Sequence, residues 1–258
     1  MDSFLARSTA SSWAALNPAA SSLAAIAFLG WLGLATGCGQ EDPDPATELQ
    51  PYHPLVEGSW WRYAHSDWTE RVDLTTASTD DGQPTFTMVD SPNPSDGLRS
   101  DSIVASVDGR VVRLEKQEFE VGAGDTEMLT SSVTYGVGFT RFNEAWANQA
   151  VGYKETPEYV RVETQPDSGA RPPEGRRHTF EIMSLSEEVT TGSGTFDCIV
   201  IRRTKDWQAE EEGVDVDLSD AYTKTFWFAR GVGKVQERNE ETQNIELLLD
   251  YHIPGAGG

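Results

Sequence analysis

Residues 102–107 (SIVASV) and 110–114 (RVVRL) face one another across Asp108-Gly109, and this pair sets the terms for the rest of the chain. Asp-Gly between two β-branched runs is a favoured two-residue hairpin turn, because both central positions need positive φ. The same grammar recurs along the sequence: short runs with alternating apolar side chains, cut by Gly, Asp and Pro, with almost no 3.6-residue period. Strands are expected at 60–63, at 68–75 with Val72 and Leu74 on one face, at 85–89, 128–135, 137–142 and 159–163. More follow at 178–190 with Phe180, Ile182 and Leu185 inward, and at 195–204, 222–228, 234–238 and 245–251. Loops are expected at 76–84 with a turn at Asp81-Gly82, at 91–100, at the Pro-rich basic stretch 164–177, and at the acidic stretch 206–220. Residues 143–149 read as one helical turn, and Thr191-Gly192-Ser193-Gly194 as a turn. The implied class is mainly β with few helices: a curved antiparallel sheet or an open, half-closed barrel.

The N-terminus imposes a second constraint. An apolar run over residues 23–37 ends in Leu34-Ala35-Thr36-Gly37-Cys38. It is shorter than the ~20 residues of a spanning helix and matches the apolar core of an export signal. The motif resembles the bacterial lipoprotein box, with Ala35, Thr36 and Gly37 before a modified cysteine and the usual Leu displaced to position 34. On that resemblance cleavage falls between Gly37 and Cys38, and the Cys38 sulfur carries lipid. One acyl chain binds marginally at ~0.8 kcal/mol per buried CH₂, so the two or three chains of such proteins hold the membrane stably. Gly39 and Gln40 follow rather than Asp, which favours outer-membrane delivery. Residues 38–51, acidic and Pro-rich, read as an extended tether. The organisation is therefore a signal peptide over 1–37, a tether over 38–51 and one β domain over 52–258.

Net charge decides which partners are excluded. The chain carries 42 acidic and 20 basic residues, a formal charge of −22, and losing residues 1–37 removes one of each sign. Such a body repels nucleic acid. Aromatic residues make up 10% of the chain, too many for a disordered one. Of the two cysteines, a lipidated Cys38 has no thiol to offer, so Cys198, within Phe196-Asp197-Cys198-Ile199, reads as a buried free thiol.

Four segments carry a further likeness. Gly194-Thr195-Phe196, Ile201-Arg202-Arg203-Thr204, the run Phe226-Trp227-Phe228-Ala229-Arg230-Gly231-Val232-Gly233-Lys234-Val235 and Leu247-Leu248-Leu249-Asp250-Tyr251 resemble an uncharacterised family of bacterial secreted lipoproteins. The opening Pro54-Leu55-Val56-Glu57-Gly58-Ser59-Trp60-Trp61-Arg62-Tyr63 is similar to that family's start. The resemblance implies a curved sheet like that of periplasmic lipoprotein carriers, and it brings no catalytic residues. In physical terms Gly231 and Gly233 permit a tight turn, and Trp227 fills core.

Catalytic and metal signatures are missing from the sequence. His53, His65, His178 and His252 are scattered, although His53 and His65 flank the first strand and could meet. No H-E-x-x-H, Cys/His metal spacing, G-x-S-x-G elbow or complete dinucleotide fingerprint occurs. Asp215-Val216-Asp217-Leu218-Ser219 opens like a calcium loop but lacks its sixth-position Gly and closing Glu. The expectation is a non-enzymatic, lipid-anchored envelope protein with no cofactor and no bound metal. Its partners are the membrane through Cys38 and an apolar small ligand or another envelope protein. An interaction module and an envelope hydrolase are the alternatives. The hydrolase would need convergent polar groups with displaced pKa values.

Overall fold

The computed structural model describes residues 50–77, 84–122, 124, 126–208 and 222–255. The leader, Cys38 and the tether as far as residue 49 lie outside the described residues. So do the Asp81-Gly82 turn and the calcium-like stretch at 215–219.

Among the described residues fourteen strands run in chain order: β1 (Trp60–Ala64), β2 (Thr69–Ala77), β3 (Thr85–Asp90), β4 (Leu98–Val107), β5 (Arg110–Val121), β6 (Glu127–Asn143), β7 (Lys154–Glu155), β8 (Glu158–Gln165), β9 (Gly169–Ala170), β10 (Glu174–Thr191), β11 (Gly194–Gln208), β12 (Thr223–Ala229), β13 (Gly233–Asn239) and β14 (Ile245–His252). The helix among the described residues is one 3-10 turn, Glu144–Asn148. It is capped by the Asn143 side chain, which accepts from the Ala145 amide. The chain is mainly β, as its alternation implies.

The sheet closes on itself. Hydrogen-bonded neighbours run β10-β11-β12-β13-β14-β1-β2-β3-β4-β5-β6-β8, and β8 pairs back onto β10 through Glu174↔Arg161 to Arg177↔Glu158. The result is a closed twelve-stranded antiparallel barrel rather than an open or half barrel, with β7 and β9 as two-residue additions. The closing residues come from the stretch 164–177 expected as a surface loop. Its basic end is strand, and Arg176 is buried at 5% exposure.

Alternation predicts most strands, and bulges explain the departures. The 102–114 hairpin forms as expected, with Val107 opposite Arg110 and positive φ at both Asp108 (50°) and Gly109 (74°). The strands expected at 128–135 and 137–142 are one continuous strand, β6. Its pairing with β5 skips from Glu115↔Thr134 to Arg113↔Phe139, so Gly136-Val137-Gly138 bulges outward and Val137 is exposed. Leu185 is exposed instead of inward, because bulges on both sides of Ser184 break the alternation of β10. Leu98 to Ser100, expected in a loop, begin β4.

One end of the barrel is sealed. Trp146 of the 3-10 turn packs on Phe142 and Phe180 and joins a buried cluster with Ile182, Ile199, Ile201, Phe226 and Phe228. Fully burying each large side chain of this kind contributes about 1.5–3 kcal/mol. The N-terminal strap completes the seal. Tyr52 lies on Phe142 under the Arg230 guanidinium, and its amide donates to Glu144 at 2.9 Å. Nearby, the Gly231 amide donates to the Pro51 carbonyl and Trp61 Nε1 donates to the Val232 carbonyl at 2.6 Å. A second buried cluster includes Trp61, Tyr63, Leu74, Val104, Val200, Trp227 and Leu248. Cys198 is a free, fully buried thiol within it, and burial pushes its pKa up to about 12.

The outer face of adjacent strands is charged. Arg62 pairs with Asp250 across β1 and β14, and Arg71 pairs with Asp73 on β2. A lipid-facing barrel would present an apolar band there instead.

Gly138 has φ of +81°, and a Cβ at that position would lie 2.9 Å from the Val112 Cβ. Gly138→Ala is therefore expected to lower unfolding free energy by about 1–3 kcal/mol in urea titrations. Gly152→Ala, also at positive φ but with nothing within 4 Å, should cost only about 1 kcal/mol.

Candidate functional site

Twelve strands make a barrel too wide for its own side chains to fill; eight is about the number at which they do. The interior accordingly encloses a cavity of about 520 Å³. Inward positions recur every second residue, as the pleat requires: Glu70 and Val72, Met88 and Asp90, Phe139 and Arg141, Arg203 and Lys205, Lys224 and Phe226. The end sealed by Phe142 and Trp146 is the floor. Lys116, Arg161 and Lys224 lie towards the opposite end, where their side chains keep 29%, 26% and 30% exposure, which marks the mouth.

The lining has the opposite sign to the protein. Among the described residues nine basic side chains face the cavity against five acidic ones, in a chain of net charge −22. Five of these basic groups meet carboxylates. Lys224 meets Glu237 at 2.5 Å. Lys234 meets Glu237 at 3.0 Å and Glu246 at 2.6 Å. Arg161 meets Glu163, Arg176 meets Glu174, and Lys116 meets Glu118. Burial opposes charge on Glu237, yet Lys234 and Lys224 hold its carboxyl far below the usual range. Burial likewise works against the Lys234 ammonium, which Glu237 and Glu246 nonetheless hold above its ordinary value.

Arg113, Arg141 and Arg203 are different. None has a carboxylate or hydrogen-bond partner among the described residues. Arg113 lies over Phe139 (5.9 Å to the ring centre), and Arg203 lies over Phe139 (5.2 Å), Tyr222 (5.7 Å) and Phe226 (4.8 Å). Their Nε atoms are buried without an acceptor. Arg141 shares the inward face of β6 with Phe139. Burial first, then Arg113 and Arg203, bring its pKa down to about 10, against the opposing pull of Asp90 and Glu237. Leaving a buried donor unmet costs about 1–3 kcal/mol, and more when it is charged. Asp90, one of the two carboxylates that pull the other way on Arg141, has its own pKa raised by burial and by Glu70 despite a hydrogen bond from Ser100.

The histidines divide by position. His53 and His178 both line the cavity. His53 sits beside Phe228 towards the floor, whereas His65 stacks on Trp68 at 4.3 Å and contacts Glu70 at 3.3 Å near the mouth. His53 and His65, which flank the first strand, therefore have separate ring partners. His178 Nε2 shares a 2.7 Å hydrogen bond with Tyr159 Oη, and its Nδ1 is buried without a partner. Burial, followed by Arg203, Lys205 and Arg176, lowers its pKa to about 3. Burial, Arg141 and Lys234 do the same to His53.

His65, Glu70 and Glu246 bring potential ligand atoms within 4.8 Å of one another. Lys234 already places an ammonium 2.6 Å from Glu246, so positive charge is supplied there by the chain itself.

Sequence reading left these cavity residues unassigned. Their signal was an arginine in step with inward apolar neighbours: Arg203 after Ile199 and Ile201, and Arg141 after Phe139. Cys38, the expected lipidation site, lies outside the described residues.

No protein-family model matches the chain, and no curated protein matches it. Three solved structures align with it. One is described as a candidate lipoprotein of Parabacteroides distasonis (13% identity, 79% of this chain and 99% of the other, TM-score 0.45). Another is an exported protein of Bacteroides fragilis with a YmcC-like fold (11% identity, 79% and 100%, TM-score 0.45). The third is the hypothetical lipoprotein YmcC of Escherichia coli (10% identity, 78% and 90%, TM-score 0.37). At these identities and scores they stand beside the chain without lending it a function.

The folded-state pKa values of His53 and His178 lie below the ordinary 6.5. The unfolded chain therefore binds more protons between about pH 6.5 and 3, and stability must fall as pH drops through that window, by up to ~1.4 kcal/mol per pH unit for each imidazole. Asp90 and Glu246, whose pKa values are raised, act in the opposite direction. The test is thus a difference: the loss in urea-unfolding free energy between pH 7 and 4.5 should be smaller for His178→Gln than for the parent.

Proposed function

We propose that this chain is an exported binding protein of the bacterial cell envelope, held to a membrane through lipid on Cys38, whose barrel receives a small ligand in its interior. The observation that carries the binding reading is the enclosed space: a closed ring of strands, sealed at one end, around about 520 Å³. That volume falls within the ~300–1,000 Å³ usual for small-molecule sites. The anchor reading rests on the apolar run ending in Ala35-Thr36-Gly37-Cys38 and on the acidic Pro-rich segment that follows it. Gly39 and Gln40 support the outer membrane as destination. The net charge of −22 supports a partner other than nucleic acid.

Binding is favoured over hydrolysis by the way His178, Tyr159 and Ser131 are held, even though burial and Glu70 raise the pKa of the Asp90 carboxyl. The cavity does gather polar groups with perturbed titration. His178, however, is driven to about 3 and the Tyr159 hydroxyl upward, both away from the neutral range where a general acid or base works. Ser131, which lines the cavity, donates to Glu118 at 2.9 Å with no histidine beside it. The lining is mostly polar and charged, which favours a ligand with a polar part beside an apolar one.

Two measurements test this reading. Metabolic fatty-acid labelling with membrane fractionation should show label and membrane association for the wild type and neither for Cys38→Ala; label that persists on the variant overturns the anchor. Native mass spectrometry of the full-length protein in a neutral non-ionic detergent should show a non-covalent small-molecule adduct. An adduct-free spectrum, together with no saturable uptake of any small molecule offered, would remove the binding reading.

A further inference from the structure

We infer that the cavity ligand is a small organic oxyanion, a carboxylate or phosphate, whose charged head seats among Arg113, Arg141 and Arg203 and whose apolar body lies along Phe139 and Phe226. The inference rests on the binding reading above and adds the ligand's chemistry. Three strands that are not all neighbours, β5, β6 and β11, each send one arginine into the same enclosed space. The other paired cations of the lining have carboxylates at 2.5–3.0 Å, while these three have none among the described residues. The Nε–H groups of Arg113 and Arg203 are buried and point at no acceptor.

Three like charges gathered inside the wall repel one another, and Arg113 and Arg203 add to the burial that lowers the Arg141 pKa. An anion entering from the mouth would relieve that repulsion and supply the missing acceptors. A guanidinium binds carboxylate and phosphate oxygens through two parallel N–H groups, which makes arginine the suited residue. The aromatic part of the wall adjoins the cluster, since Phe139 and Phe226 lie beneath the same guanidinium of Arg203. A ligand with charge at one end and an apolar surface at the other matches that adjacency. Inorganic phosphate alone matches only half of it.

The test is isothermal titration of the full-length protein in a neutral non-ionic detergent, with three probes of one shape: 1-naphthoate, 1-naphthyl phosphate and the uncharged 1-naphthalenemethanol. Either anion should bind saturably and at least tenfold more tightly than the alcohol, and whichever anion binds better identifies the head group. Arg141→Gln and Arg203→Gln should each weaken anion binding tenfold or more and leave the alcohol within twofold. Arg203→Lys, which keeps the charge but not the fork, should fall between. Circular dichroism spectra matching the parent establish that the variants fold. Should one glutamine variant unfold, the other and Arg203→Lys still read the assignment. Equal affinity for anions and alcohol, or glutamine variants that bind the anions unchanged, overturns the oxyanion assignment and leaves the binding cavity standing. No saturable binding of any probe overturns the oxyanion assignment, and the binding reading falls with it only when native mass spectrometry also shows no adduct.

Discussion

Four residue pairs hold the ring shut. Glu174 to Arg177 at the start of β10 pair with Glu158 to Arg161 of β8 and join the last gap between the two halves of the sheet. Without them β8 and β10 would be the free edges of the sheet, and the twist between strands, roughly 20–25° per strand, would splay the layers apart. With them, no edge of the twelve-stranded ring is exposed along this segment, and the inward side chains face an enclosed space instead of a groove. Everything unusual about the interior follows from that closure. Paired lysines and glutamates sit inside because the wall surrounds them, and Arg141 titrates low because burial within that wall, with Arg113 and Arg203 nearby, disfavours its cation.

How far the sequence led can be judged segment by segment. The Asp108-Gly109 hairpin was fully legible, because a two-residue turn with two positive φ values is a local requirement that few dipeptides meet. The same holds for Val72 and Leu74, for the aromatic strand expected over 222–228, which runs Thr223–Ala229, and for the turn through Gly231. Closure was not legible. It depends on residues in a Pro- and Gly-rich stretch that satisfies every local rule for a loop, and only its long-range partner in β8 makes Arg176 a strand residue. Leu185 and the division of β6 misled for a related reason. A bulge changes parity or interrupts a strand without leaving a strong local mark, apart from Gly136 and Gly138.

The interior was hidden for a different reason. Apolar alternation locates a core, and polar residues in step with it look like strand ends approaching solvent. Arg203 and Lys205 after Ile199 and Ile201 fit that picture. In a filled eight-stranded barrel the picture would have been right. At twelve strands the same inward parity leads into a lumen, so the meaning of an arginine depends on strand number. Strand number in turn depends on the closing pairs. The chemistry of the site was thus written in local sequence but readable only through global topology.

The segregation of charge has its own logic. The acidic groups outnumber the basic ones twofold in the chain, yet the cavity gathers basic ones. At physiological ionic strength the field of the outer surface is screened within ~8 Å, whereas charges inside a protein wall are screened far less. An anion approaching from solvent therefore meets weak repulsion outside and strong attraction once past Lys116, Arg161 and Lys224 at the mouth. A polyanion such as nucleic acid, too large to leave the outer surface, meets only the repulsion. A small acid that fits within the barrel exchanges it for the company of Arg113, Arg141 and Arg203. Size and sign together, rather than a contact made with any one group, would then separate the molecules this barrel admits from those it turns away.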